Sequence, residues 1–336
     1  MLHLSVLDQS VAGVGKSHGQ TIRDTVAMAE LCEGLGYKRF WVSEHHSHPT
    51  IVGTAPEILL AGIAMRTNRI RLGSAGVMLP HYAPLKVAEQ FRVLEAFAPG
   101  RIDLGLGRAP GTDGRTSLAL NPAAAERPAE FPNDVQDLAA WVSGQPLPEG
   151  HPFAAVQANP QGETSPEIWM LGSSLYGAQV AAHFGLPYSF AWFFTEGQGG
   201  PEAIQIYRDR YQPSERFPEP CPGICVWALA AETEEEAQYH FASRARWQLY
   251  RDRGRYTALE SAETAVNATY SESETARMEQ LRQTAMVGTP DKVAERIRAL
   301  ATRLDIEEIA VVTWAHDEGV RRRSYELLAK EFGMAG

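Results

Sequence analysis

Eight short apolar runs, each followed by a helical or helix-bearing stretch, constrain this chain more than any other feature. The runs cover 2–7, 39–43, 70–77, 101–107, 167–171, 188–192, 224–231 and 308–312. Between them, apolar residues recur at helical spacing. In 20–35, Ile22, Val26, Ala29 and Cys32 share one stripe, and Gly36 follows as a C-cap residue. Stretches 55–66, 84–97, 175–184, 202–211, 233–250, 290–304 and 321–332 also read as helices. Pro56 and Pro290 suit first turns, Thr289 suits a cap, and Asp291 suits the positive end of the dipole. Strands that alternate with helices pair in parallel through crossovers. Eight such units with no linker between them predict one domain over 1–336, an α/β fold of the (β/α)8 TIM barrel type.

Two segments break the rhythm. Residues 109–165 are rich in Pro, Gly and Ala, and only 132–142 reads as helix there; the rest is long enough for a lid or binding loop. Residues 251–285 are polar and poorly patterned, and read as loop with helical pieces. Both are expected to be insertions. A doubly wound dinucleotide fold fits less well, because Gly13-x-Gly15 lacks the third glycine at its proper spacing and reads as a flexible loop.

Composition excludes several classes. A formal charge of −10 argues against a general nucleic-acid binder and against docking on an anionic membrane. Arg321-Arg322-Arg323 is expected to be a solvated helix face. Three cysteines without framework spacing predict a reducing compartment. Cys221 and Cys225 lack the second pair that a metal site needs. No secretory pattern precedes the strand-like 2–7 run and no stretch reaches membrane-span length, so a cytoplasmic protein is expected.

The C-terminal ends of barrel strands carry chemistry. The second run ends in Trp41-Val42-Ser43-Glu44-His45-His46, three ionisable side chains where an apolar strand opens into a loop. The pair can be polar strand-end residues satisfied locally, or an acid-base or cofactor site. His46-x-His48 also has ligand-like spacing, but His183 falls within a helix and no middle-strand His completes a set, so no metal is expected. The third run ends in Ser74-Ala75-Gly76-Val77, whose small residues suit either close helix packing or a flat ring against bare backbone. The fourth ends at Gly107-Arg108, a guanidinium suited to phosphate or to solvent. The fifth ends in Gly172-Ser173-Ser174 at a helix start, where free N–H groups favour an anion.

Taken together, FWVSEHH (40–46), RIRLGSAGVMLP (69–80), GRIDLGLGRAPGTD (100–113), LGSS with GLP (171–174, 185–187) and VGTP (287–290) resemble the bacterial luciferase-like monooxygenase family of flavin enzymes over nearly the whole chain. The resemblance implies a barrel with an insertion, commonly a homodimer. It implies that His45 supports the reaction of reduced flavin with oxygen and substrate, with Glu44 and His46 as further catalytic candidates and Glu44 orienting the pair. It places a cis peptide at Ala75-Gly76 under the flavin ring. It gives the phosphate to Arg108, with Gly172, Ser173, Ser174 and Gly177 closing over it. Reduced FMN and O2 are then co-substrates, and a separate flavin reductase supplies electrons, since no nicotinamide-binding fingerprint is present. Val77, Leu79, Trp192 and Phe193 are candidate pocket residues, with barrel core an equal reading for Val77. Alternatives are a deazaflavin (F420) hydride-transfer enzyme and a non-catalytic flavin binder. Gly107 stands where the luciferase proper has a reactive cysteine, which argues against light emission.

Overall fold

In a computed structural model, which describes residues 2–334, nine strands run in chain order. They are β1 (His3–Asp8), β2 (Arg39–Val42), β3 (Arg71–Met78), β4 (Ile102–Gly107), β5 (Glu167–Gly172), β6 (Tyr188–Phe190), β7 (Pro222–Ala230), β8 (Met286–Gly288) and β9 (Glu308–Val312). All pairings among them are parallel. Each of β1 to β6 pairs with the next, β6 pairs with β7, β7 with β9, and β9 with β1. The ring is therefore a closed eight-stranded barrel with helices around it, as expected, and β8 lies outside it, paired to the end of β7 through Ala228 and Met286. A three-residue strand is too short for a period to announce it.

Side chains sort by the two-residue strand period. In β2, Phe40 and Val42 face the helices and belong to the outer core, whereas Trp41 joins the inner cluster with Leu7, Trp169, Cys225 and Val312. Trp41 meets Trp169 edge-on at 5.2 Å. Room for Trp41 depends on Gly73 of β3: a Cβ there would lie 2.8 Å from the indole Cδ1 and 2.6 Å from the Asp103 Cβ.

Below the tryptophans the barrel is filled by charge. Asp103 is fully buried. Its Oδ2 accepts from Arg39 Nη1 at 2.7 Å and Trp41 Nε1 at 2.9 Å, and its Oδ1 from Arg71 Nη2 at 2.6 Å. Glu167 adds contacts at 3.0 Å to Arg71 and 3.3 Å to Arg39. Buried charge on both sides keeps the Arg39 guanidinium protonated, its pKa raised by Asp103, Glu308 and Glu167 against the cost of burial. The cluster joins β2, β3, β4 and β5 side by side, and no sequence pattern announced it because its members are scattered over four strands.

The irregular segments differ from expectation. The helix in the first runs from Arg127 to Ser143, starting before Pro132, because Pro128 already occupies the first turn. A short helix, Gly114–Leu120, precedes it. The later part of the segment packs on the flank of the barrel: Arg92, in the helix Pro84–Phe97, donates to the carbonyls of Val142 and Pro160 at 3.0 and 2.8 Å. The second segment holds helices Ala262–Val266 and Glu272–Thr284, the latter started by a Ser271–Glu274 capping box. The loop around Gly13 is stitched rather than free, with Val14 N–H on Leu259 O at 2.8 Å and His316 Nε2 on Val14 O at 2.9 Å. Arg321 corrects the expectation of a solvated face: it is buried in the helix Glu318–Glu331 and pairs with Asp8 at 3.0 Å and Glu318 at 3.0 Å. The burial arises because Asp8 ends β1 directly beneath that helix; Arg323 stays exposed. Among the described residues, no helix is long and apolar enough to cross a membrane.

Asp103→Ala takes from Arg39 and Arg71 the carboxylate they share most closely and leaves them on Glu167 and Glu308; breaking a buried pair costs about 3–5 kcal/mol. Urea unfolding should show a midpoint lowered accordingly; a change under about 1 kcal/mol would mean that the base cluster does not hold the barrel.

Candidate active site

Closure puts the ends of β2 to β5 side by side on the C-terminal rim, and the residues expected to act are found there. Glu44 follows β2 and is 1 % exposed. Its Oε1 accepts from His46 Nε2 and from the Tyr82 hydroxyl, both at 2.8 Å, and its Oε2 accepts the Met78 N–H at 3.1 Å. The carboxylate therefore ties the end of β2 to the end of β3 and sets the His46 ring. Burial, with Glu44 alongside, holds the Tyr82 phenol well above its usual range, so it stays a donor. The loop after β4 closes on the same point: Thr112 Oγ1 donates to His46 O at 2.7 Å and His81 Nε2 meets Pro110 O at 2.7 Å.

His45 differs from His46. Its N–H donates to Gly53 O at 3.0 Å, and its Nδ1 is buried without a hydrogen-bond partner. Burial draws its pKa down to about 4, with smaller pushes from His48 and His46. The imidazole is thus neutral at ordinary pH, with one ring nitrogen buried and unpartnered. His48 sits edge-on to it at 6.0 Å, and its Nδ1 accepts the Thr50 and Ile51 N–H groups at 3.1 and 3.0 Å.

On the β3 side the Ala75-Gly76 peptide is cis, as the resemblance implied. The β3–β4 register shifts between Ser74 and Val77, and the Ser74 hydroxyl spans the gap, accepting the Gly105 N–H at 3.1 Å and donating to Gly105 O at 3.0 Å. A Cβ on Gly76 would lie 2.8 Å from Gly105 O and 2.9 Å from Leu171 Cδ1, so the strand ends pack too closely here for any side chain at Gly76.

Arg108 leaves β4 exposed and lays its guanidinium over the Tyr176 ring at 3.9 Å. Tyr176 is in the first turn of the helix Leu175–His183, whose cap residue Ser174 makes no side-chain capping bond. Arg108 thus stands beside the first turn of this helix, which Ser173 and Ser174 lead into and whose free N–H groups favour an anion. Gly172 at the strand end and Gly177 in the helix face each other, and a Cβ added to either would meet the other's Cα at ordinary contact, 3.8 and 3.7 Å.

The sequence-based pocket residues divide. Val77 and Leu79 are buried in the outer core, the reading that was open for Val77 and a correction for Leu79, whose one-turn helix folds it under the strand end. Trp192 and Phe193 do border a pocket at the mouth beside β7. Sequence reading missed Tyr82 and Tyr176, which mark no motif. It also missed the wall beside His48, where Trp247 and Tyr256 stand 6.5 and 5.1 Å from that ring.

In parallel (β/α)8 barrels the C-terminal rim is where active sites are built, and the strand-end residues described here stand on that rim. The luciferase-like monooxygenase family model matches residues 2–305, and the chain belongs to that family. A Bacillus subtilis protein named N-acetyl-S-alkylcysteine monooxygenase is 37% identical over 333 residues, covering 98% of each chain. The crystal structure of apo-MsnO8 is 34% identical with a TM-score of 0.89, covering 100% of this chain and 99% of its own. Two more distant barrels share the fold. One is the oxygenating constituent of 3,6-diketocamphane monooxygenase from Pseudomonas putida in complex with FMN, with TM-score 0.70, 20% identity and coverage of 98% and 97%. The other is an F420-dependent secondary alcohol dehydrogenase, with TM-score 0.63, 15% identity and coverage of 97% and 99%.

A histidine whose folded pKa lies near 4 rather than 6.5 binds its proton more readily in the unfolded chain. Its contribution is complete above about pH 6.5 and is lost as pH falls toward 4, at up to about 1.4 kcal/mol per pH unit. His45→Asn should flatten the fall in unfolding free energy across that window. An unchanged slope would show that His45 is not buried as described.

Proposed function

We propose that this protein is an FMN-dependent monooxygenase that takes reduced flavin from a separate reductase and uses O2 to oxidise a small organic substrate. The observation that carries the reading is Arg108 beside the uncapped start of Leu175–His183, on the same rim as His45. The residues fit a flavin mononucleotide. Arg108, the first-turn N–H groups and the Ser173 and Ser174 hydroxyls hold a terminal phosphate. The cis Ala75-Gly76 peptide, with only small side groups, offers backbone against which a flat ring can lie.

Bound in reduced form, the cofactor supplies electrons and the place where dioxygen is activated. The chain's own part is orientation and proton control. His45, neutral at working pH, offers Nδ1 for a hydrogen bond or a proton without adding charge to the mouth. Glu44 acts through others: it fixes the His46 ring, the Tyr82 hydroxyl and the start of the loop after β3. The buried surroundings limit water at His45.

Arg108→Ala should lose about 1.5–3 kcal/mol of FMN affinity, roughly ten- to a hundredfold in Kd, because it removes a charged phosphate hydrogen bond. Quenching of FMN fluorescence reads this, and unchanged affinity removes Arg108 from the site. The same titration with F420 separates the two cofactors, and tighter F420 binding replaces FMN in the reading. His45→Ala should keep FMN affinity and the melting temperature while substrate-linked turnover of reduced FMN is lost; normal turnover would disprove its part.

A further inference from the structure

Among the described residues, one of the buried guanidinium groups without a carboxylate partner is ringed by aromatic faces. Arg244 lies in the helix Glu234–Asp252 and is 5 % exposed. Its guanidinium is enclosed by three indoles, with Trp314, Trp247 and Trp227 at 4.9, 5.0 and 5.8 Å from Cζ. Nη1 donates to Gln248 Oε1, and Nε is buried with no partner at all. Among the described residues no carboxylate comes within ion-pair distance. Glu196 borders the same pocket but is occupied by Arg277 at 2.6 Å, and Asp252 by Arg277 and Arg251 at 3.0 and 3.2 Å. Burial and the neighbouring Arg251 pull the Arg244 pKa down to about 9, a sign that its charge is poorly compensated.

An arginine offers five donors in a planar fork, and one is used here. Indole faces compensate the cation in part but accept no strong hydrogen bond from its edge. Buried donors left unmet are costly, so a group that meets them on binding is favoured. Arg244 lines a pocket with Trp192, Phe193, Trp227, Gln248 and Thr284. A chain of aromatic contacts links Arg244 to the rim residues. Trp247, one wall of the Arg244 cage, bonds Thr50 Oγ1 at 2.8 Å and stands 6.5 Å from His48, whose ring meets His45 at 6.0 Å.

We propose that Arg244 is the specificity residue for the substrate's anionic end, and that the substrate is a small organic acid whose carboxylate docks on this guanidinium with its apolar part toward His45. The inference rests on the proposed reading of the mouth as an oxidising site, and names the substrate class for it. A carboxylate matches the fork in plane and charge, and an amide of the same shape matches only in plane.

The test uses the full chain, with and without FMN, and calorimetric titration of acid and primary amide pairs: N-acetyl-S-methylcysteine, N-acetylmethionine and hexanoate. At least one acid should bind about tenfold or more tighter than its amide, the margin of a charged over a neutral hydrogen bond. Arg244→Met should bring acid and amide to within about twofold, and Arg244→Lys should retain part of the preference, as a point charge without the fork. Melting temperatures of both variants, and their FMN affinity, report separately on folding and on the cofactor site. Equal binding of every pair, binding of none, or an undiminished preference in Arg244→Met would overturn the proposal, as would ethanesulfonate binding tighter than all three acids. Loss of FMN binding by the unaltered chain, with the acid preference intact, would instead defeat the flavin reading.

Discussion

Parallel closure is the constraint on which everything else depends. Eight strands joined in one direction must present all their C-terminal ends on one rim, and the last ring strand must find the first. Here β9 lies between β7 and β1, and β6 reaches β7, so the ring has no free edge. A ring of this size must also fill its own interior. The chain does so with tryptophans in the middle and an ion cluster at the base, and Gly73 is the vacancy that lets Trp41 and Asp103 fit side by side.

With the base closed by charge and the middle by indole, the mouth is left for chemistry, and its two halves differ. The ends of β2 to β5 carry the cis Ala75-Gly76 peptide, a helix start without a side-chain cap, and Arg108. Across from them stand the pocket beside β7 and the aromatic wall around Arg244 and Trp247. His45 is held by its backbone, and its Nδ1 is buried without a partner. Family membership supports a monooxygenase; the geometry of the halves supports the division of labour between cofactor and substrate.

Legibility followed range. The strands and most helices were readable because period 2 and period 3.6 are local properties of burial. The rim residues were readable because a polar group at the end of an apolar run has few bland explanations, and because motif blocks keep their spacing. Boundaries slipped where a proline misled, as at Pro132 inside Arg127–Ser143. Arg321 was misread because a run of three arginines looks solvated until Asp8, far away in sequence, is placed beneath one of them. Leu79 was misread because its one-turn helix tucks it under the strand end.

The sequence by itself determined the order and kind of elements, the acidic balance, and which side chains would stand at strand ends, since each follows from neighbours a few residues apart. Only the tertiary structure decided which distant groups would pair and which would not. It set Glu44 against Met78 and Tyr82, gathered Asp103, Arg39, Arg71 and Glu167 into one cluster, and left Arg244 among indoles without a carboxylate. The physical reason is that pairing energies depend on register and desolvation, and these exist only once the ring has closed.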